Sequence, residues 1–321
     1  MATMKRIMVT GASGFVGRRL TPLLAALPGV EAMAPLGGPD LPAGQTVDIL
    51  DATAVEQTLR DFAPTDIVHL AAASSVAGAG QTPETAWDVN LIGVRNLAAA
   101  ARRLDDPVRF LFASTGEVYG RAFLDGPVSE DTPPQPASTY ARTKLAAEHL
   151  LEDLSGDRLK VTVLRLFNHT GPGQDTRFVV PAFAAQIAAI EAGAEPTGVV
   201  RVGNLEARRD FSDVEDILAA YEAVVRDDAE GPAFARYNVG SGQVRTIRSI
   251  LDLLIDQARR PVTVEEDPAR LRPSEIAVAG GVFDRFARRY GWSASTPFER
   301  TVTSVLDDQR ASIGPASPAG T

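Results

Sequence analysis

Tyr140 and Lys144 stand four residues apart, a spacing that puts both side chains on one face of a helix. A free tyrosine titrates near pH ~10 and is a poor proton donor or acceptor at neutrality. An ammonium beside it stabilises the phenolate, so the pair is suited to moving a proton to or from a substrate oxygen. The chain has three lysines, Lys5, Lys144 and Lys160, against 29 arginines, which gives a lysine at this spacing added weight. Thr115, in Ser114-Thr115-Gly116-Glu117-Val118-Tyr119-Gly120, closes a strand-like run and offers a hydroxyl to the same oxygen. Glu117 could bind a substrate hydroxyl or perform a further proton transfer; a solvent-facing turn carboxylate is the plain alternative.

A second motif lies at the N-terminus, where Thr10-Gly11-Ala12-Ser13-Gly14-Phe15-Val16-Gly17 follows an apolar run. Gly11, Gly14 and Gly17, with Phe15 and Val16 between them, would turn sharply and let a pyrophosphate approach the backbone. The strand before and the amphipathic helix after supply the context that such a loop requires. A dinucleotide site joined to the Tyr140 and Lys144 pair points to an NAD(P)-dependent oxidoreductase. Asp48 and Ile49 could bracket the adenine, Asp48 accepting from its amino group and Ile49 contacting its face. The second strand, with Glu31 near its start, ends at Pro35-Leu36-Gly37-Gly38. No acidic residue waits there for two ribose hydroxyls, and no arginine for a 2′-phosphate; Arg18 or Arg19 could serve from the first helix, or simply face solvent. The balance leans to NADPH, with NADH open.

These residues need a scaffold, and the apolar periodicity supplies one. Strands are expected at Arg6–Thr10, Val47–Leu50, Ile67–Ala71, Arg109–Ser114 and Val161–Leu166. Helices are expected from Gly14 to Leu27 (with Pro22 inside), Ala54–Asp61, Ala86–Arg103 and Thr139–Asp153. This alternation predicts an α/β fold, a Rossmann-like parallel sheet covered by helices, with a smaller interleaved C-terminal substrate domain. Residues 1–168 are assigned mainly to dinucleotide binding and 169–310 mainly to substrate, with 211–242 returning to the first domain. The spacing further predicts helices at Val180–Ala192, Ile247–Arg259 and Phe283–Tyr290, and a strand at Tyr237–Val239; Arg208–Asp213 reads as a compact charged patch. The segment 311–321 reads as a flexible tail.

With 321 residues, 45 % of them hydrophobic and 23 % charged, the composition suits a folded globule. The absence of cysteine excludes disulfides, thiolate metal sites and thiol catalysis, and no metal is expected. A net charge of -9 disfavours a nucleic-acid or anionic-membrane surface while leaving room for a local basic pocket. Apolar runs are too short and broken to span a bilayer, and no signal stretch opens the chain, so a cytoplasmic location is the default.

Together the motifs resemble the extended short-chain dehydrogenase/reductase family over residues 4 to 308. The likeness rests on TGASGFVG at 10–17, HLAAASSV at 69–76, VN at 89–90, STGEVYG at 114–120 and YARTK at 140–144. It implies catalytic roles for Thr115, Tyr140 and Lys144, a helix-stabilising role for Asn90, and a cofactor channel along Leu70, Ala71 and Ala72, with Ser75 nearby toward the substrate. The strings from Arg165 to Gln174, FVVPAFAAQIAAIEAG, VGNLEARRDFSDVEDI and RLRPSE narrow the resemblance to the GDP-4-dehydro-6-deoxy-D-mannose reductases. That branch implies Asn168 and Arg209 near diphosphate or sugar, Val179 at the nucleotide pocket, and Arg272 and Glu275 on the nucleotide. The implied substrate is a GDP-linked 4-ketosugar, reduced at C4 to GDP-D-rhamnose or, from the other face, GDP-6-deoxy-talose. GDP-mannose 4,6-dehydratase and nucleotide-sugar 4-epimerase are rival enzymes, and a dinucleotide-sensing binding protein is the non-enzymatic rival. Against the dehydratase, no GQDG pattern occurs in the first loop, and Gly116 replaces the Ser or Asp common beside the catalytic residue. The resemblance also implies a homodimer through helices 86–103 and 139–153, where Leu91, Leu97, Leu145 and Leu150 supply apolar positions.

Overall fold

The computed structural model describes residues 4–37, 46–74, 76–270 and 276–313. Among them the strands are β1 (Lys5–Thr10), β2 (Val30–Leu36), β3 (Asp66–His69), β4 (Val108–Thr115), β5 (Leu159–Leu166), β6 (Asn168–Thr170), β7 (Val199–Val202), β8 (Arg208–Asp213), β9 (Phe234–Val239), β10 (Val244–Thr246), β11 (Thr263–Glu266) and β12 (Val278–Ala279). The α-helices are α1 (Gly17–Ala25), α2 (Ala52–Phe62), α3 (Val76–Gln81), α4 (Pro83–Trp87), α5 (Gly93–Ala101), α6 (Thr139–Leu154), α7 (Val179–Ala192), α8 (Val214–Arg226), α9 (Ile247–Ile255), α10 (Asp284–Tyr290) and α11 (Phe298–Ile313).

Six strands form a parallel sheet in the order β2-β1-β3-β4-β5-β9. Successive side chains of a strand point to opposite faces, and the apolar residues sort accordingly. Ile7, Val9, Val68, Leu111, Leu164 and Leu166 pack with Leu20 and Leu24 of α1 and Ile217 and Tyr221 of α8. Met8, Ile67, Phe110, Phe112, Val161 and Val163 face the other way, against Val55 and Leu59 of α2, Val94 and Leu97 of α5, and Ala147 and Leu151 of α6. Both faces are covered, which is why the strands read as nearly continuous apolar runs. The strand ends carrying Thr10, His69, Thr115 and Leu166 therefore point into one crevice, where ligands meet an open parallel sheet.

The chain beyond β5 builds a second core. Val180, Phe183 and Ile187 of α7 pack with Ile250 and Leu254 of α9 and Val302, Val305 and Leu306 of α11. β8 is the hub of a small mixed sheet, antiparallel to β10 and parallel to β12 and β6. β9 returns to the main sheet beside β5, in register from Val161↔Phe234 to Leu166↔Val239.

Three expectations change. Val47–Leu50 is not a strand: Asp48 accepts a hydrogen bond from Leu50 N at 2.9 Å and so folds the chain into a turn. Arg208–Asp213, read as a compact charged patch, is a strand whose backbone pairs with β10, β12 and β6, while Asp210 accepts from Ser241 N at 2.8 Å and Asp213 caps α8 by accepting from Glu215 N at 2.7 Å. The loose tail does not begin at Ala311, since α11 continues to Ile313, held by its buried stripe; 314–321 lie outside the described residues. The helices α8 and α11 were not foreseen. No helix among the described residues is long and apolar enough to cross a membrane.

Candidate active site

The glycine loop occupies the turn from β1 into α1. Gly11 has φ +72, and a Cβ there would lie 2.7 Å from Ala71 N; at Gly17 it would lie 2.2 Å from Gly11 O. Neither position has room for any side chain, so the backbone is left bare at the N-terminus of α1, the arrangement that accommodates a pyrophosphate. Thr10 Oγ1 bonds His69 Nδ1 at 2.7 Å and joins β1 to the neighbouring strand end. After β3, Asn90 accepts from Ala73 N at 2.9 Å and donates to Thr143 Oγ1 at 2.9 Å. It does so from a π-helical turn over Asp88–Ile92, an insertion that helices tolerate mainly at functional sites. Leu70 to Ala72 are thereby held along the crevice opposite α6.

Ser138 caps α6 by accepting from Ala141 N at 3.1 Å, which places Tyr140 in the first turn of the helix. Its hydroxyl shares a hydrogen bond with the Thr115 side chain, and burial with the nearby Glu117 carboxylate raises its pKa, so it is a protonated donor. Lys144, one turn on, donates to Ala113 O at 2.8 Å and lies 4.7 Å from the Phe112 ring centre. Burial brings its pKa down to about 7, with Glu148 working against the shift. Burial also raises Glu117, and Arg209 across the crevice opposes that.

These groups line one cleft of about 1590 Å³, together with Gly11, Gly14, Phe15, Val16, Gly17, Leu70, Ala71, Ala72, Asn168 and Val179. Its wall also carries Arg121, Arg177, Arg201 and Arg270, which sequence reasoning did not select. Among the described residues, five arginines and Lys144 thus face a cleft whose lining includes one carboxylate, Glu117, in a chain of net charge -9. Arg177, Arg201 and Arg270 are each also paired with a carboxylate outside the lining. Nothing in their local sequence marks these arginines, because the cleft gathers them from four separate segments.

Asp48 and Ile49 do not line the cleft: Asp48 is exposed in its turn, and Ile49 packs its Cδ1 where a Cβ on Gly93 would stand. Arg18 is exposed and Arg19 half-buried, and both are engaged by backbone carbonyls. Arg18 donates to Gly173 O and Arg19 to Pro172 O at 2.6 Å, so both clamp the loop after β6 onto α1. Just before that loop, His169 of β6 stacks on Phe15 at 6.2 Å. Ser75, Arg272 and Glu275 lie outside the described residues.

A bare glycine turn under a doubly covered parallel sheet, facing a Thr-Tyr-Lys set, defines the extended short-chain dehydrogenase/reductase class, and the chain belongs to that family. Within it, the family model described as GDP-mannose 4,6 dehydratase matches residues 44–305. The GDP-6-deoxy-D-mannose reductase of Pseudomonas aeruginosa is 34% identical over 311 residues, covering 96% of this chain and 98% of that protein. The GDP-6-deoxy-D-talose 4-dehydrogenase of Aggregatibacter actinomycetemcomitans is 28% identical, covering 84% of this chain and 86% of that one. Among solved structures, RMD from Pseudomonas aeruginosa complexed with NADPH superimposes with a TM-score of 0.84 at 32% identity, covering 96% of this chain and 99% of that chain.

Proposed function

We propose that the protein reduces the C4 carbonyl of GDP-4-dehydro-6-deoxy-D-mannose to give GDP-D-rhamnose, with NADPH favoured and NADH usable. The observation that carries this reading is the cationic cleft of an acidic protein, which joins a glycine turn without room for side chains to a buried Thr115 and Lys144 and a half-buried Tyr140. A pyrophosphate at the turn and a second diphosphate beside Asn168 and Arg209 both suit that charge. The likeness to a GDP-6-deoxy-D-mannose reductase over nearly the whole of both chains supports the choice of sugar nucleotide. In this division of labour, residues 1–168 mainly hold the dinucleotide and 169–310 mainly the sugar nucleotide, with 211–242 back in the first domain.

The dinucleotide, when bound, supplies the hydride. Tyr140, protonated at neutral pH, donates its proton to the sugar O4 as negative charge develops there. Thr115, already bonded to that hydroxyl, orients the same oxygen. The ammonium of Lys144 stabilises the phenolate left behind and holds the ribose. Glu117 binds a sugar hydroxyl, Val179 borders the nucleotide, and Ser75, Arg272 and Glu275 complete the substrate site. The backbone of Gly11 to Gly17 takes the pyrophosphate, Leu70 to Ala72 line the channel, and Asp48 with Ile49, on a turn beyond the described lining of the cleft, meets the adenine. The protein acts as a homodimer in the cytoplasm.

A dehydratase needs another acid or base beside Thr115. Glu117, two residues after Thr115 in the same cleft, is compatible with that base and so does not separate the two enzymes; what departs from the dehydratase pattern is Gly116, where a Cβ would lie 3.0–3.2 Å from three atoms of the Phe167 ring and no Ser or Asp fits without displacing it. The decisive experiment incubates purified protein separately with GDP-mannose and with GDP-4-dehydro-6-deoxy-mannose, in the presence of NADPH or NADH. Oxidation of NADPH with the ketosugar alone is expected, with proton couplings of the product giving the C4 configuration. Conversion of GDP-mannose without consumption of added cofactor would overturn the reductase assignment.

A further inference from the structure

A buried charge cluster lies directly behind the catalytic set and takes no part in the steps above. Glu148 sits one helical turn beyond Lys144 on α6, and both it and Arg165 of β5 are about 1% exposed. The Glu148 carboxylate accepts from Ser114 Oγ, from Arg165 Nε at 3.1 Å to each oxygen, and from Arg165 Nη2 at 2.6 Å. Arg165 Nη1 donates to Tyr119 Oη at 2.9 Å, and Tyr119 donates in turn to Asn238 Oδ1 at 2.7 Å. A buried ion pair contributes little to stability compared with apolar residues of the same volume, so its presence here asks for another reason.

The geometry of the cluster supplies one. Ser114 immediately precedes Thr115 on β4, Tyr119 follows Glu117 by two residues, and Glu148 shares α6 with Tyr140 and Lys144. One carboxylate therefore ties the strand bearing the threonine to the helix bearing the tyrosine and lysine. It also provides the negative charge that opposes the burial of Lys144. Other ionisable groups on the packed elements do not replace it. His69 on β3 is held neutral, with its pKa down to about 3, by burial and then by Lys144 itself. Tyr140 and Tyr119 are held protonated, and burial drives Glu117 toward its neutral form. Arg165 adds positive charge. Glu84, Asp88 and Arg95, on the helices beside α6, are exposed, as are His149 and Glu152 further along α6.

We propose that Glu148, gripped by Ser114 and Arg165, is the positioning residue that keeps Lys144 charged and fixes the Tyr140 helix against Thr115. The proposal rests on the roles assigned to Tyr140 and Lys144. Removing the carboxylate alone strands a buried guanidinium and endangers the fold, so Glu148→Gln is paired with the double variant Glu148→Gln/Arg165→Met. Three lysines make the direct measurement practicable: protein labelled with [ε-13C]lysine gives signals for Lys5, Lys144 and Lys160, and Lys144→Met assigns the relevant one. In folded Glu148→Gln the Lys144 signal is expected to titrate about one pH unit lower than in the wild type, and in the double variant, which also removes the opposing Arg165 charge, it should move in the same direction by less, with Lys5 and Lys160 unmoved in both. Because the charged lysine is the active form, kcat for NADPH oxidation by Glu148→Gln should fall about tenfold at pH 8 and about twofold at pH 6, each pKa unit being tenfold in the charged fraction where the group is mostly neutral. A wild-type Lys144 titration in either folded variant would overturn the proposal and leave the cluster a structural one. A wild-type enzyme inactive on the ketosugar would sink the reductase reading instead, while the lysine titration would still decide the role of Glu148.

Discussion

At the chemical end of the cleft, Thr115, Tyr140 and Lys144 are held by a capped helix, a strand end and the Glu148–Arg165 pair behind them. At the expected adenine end, Asp48 is exposed, and its side chain accepts from the backbone two residues away. The first arrangement fixes positions through contacts between elements distant in the chain; the second leaves a polar group poised on a local turn. The contrast teaches that proton transfer here depends on a preorganised, low-dielectric setting, where a small displacement is expensive, while dinucleotide affinity can be adjusted one exposed contact at a time.

The largest effect should come from Tyr140→Phe, which removes the proton and leaves the ring. The variant is expected to lose about 10²–10⁴-fold in kcat, the usual scale for a general acid. Its NADPH affinity, read by fluorescence titration, should stay within a few-fold of wild type, because the glycine turn is untouched. Retained turnover would remove Tyr140 from its role, and a collapse of NADPH affinity would show that the chemical end also governs binding.

A smaller effect tests the burial on which the chemical end depends. His69 lies beneath Lys144 with its pKa lowered from 6.5 to about 3 by burial and by that lysine, and with Nδ1 bonded to Thr10. The unfolded chain takes up a proton below pH ~6.5 and the folded one does not, so stability is complete above that pH and falls as the pH drops toward the folded value. Between pH 6.5 and 5 the loss should amount to about 2 kcal/mol, before most carboxylates titrate. His69→Gln, which can still bond Thr10, should flatten that part of a urea-denaturation profile. It should not abolish the slope, because His169 is shifted in the same direction by burial. An unchanged slope would place His69 in a wetter setting than the packing indicates.

Legibility in the sequence followed the same divide between local and distant contacts. The buried strands β1, β3, β4 and β5 could be read from short apolar runs, and Tyr140 with Lys144 from a spacing within one helix. β8 could not, because Arg208, Arg209, Asp210 and Asp213 look like a solvated patch until Ser241 and the start of α8 are brought to the aspartates. The pairing of Glu148 with Arg165 crosses from a helix to a strand 17 residues on, and no periodicity announces it. Arg18 and Arg19 could be read as cationic but not as clamps, since the carbonyls of Pro172 and Gly173 that they hold are more than 150 residues away. The cationic wall of the cleft is the same kind of feature, a property of assembly and not of any one segment.

The smallest effect bears on the adenine end. Asp48→Asn keeps an oxygen to accept from Leu50 N, so the turn and the overall stability should hold within about 0.5 kcal/mol, as for most surface substitutions. If the carboxylate accepts the adenine amino hydrogen, its neutral replacement makes a weaker hydrogen bond, and KM for NADPH should rise about two- to fivefold with kcat unchanged, the scale of one solvent-exposed bond. An unchanged KM would take Asp48 out of the adenine site, consistent with its place outside the cleft lining. A fall in kcat would be the more instructive failure. It would mean that a group on an exposed turn reaches the buried proton-transfer set, and that the two ends of the cleft are coupled through the bound dinucleotide and not merely bridged by it.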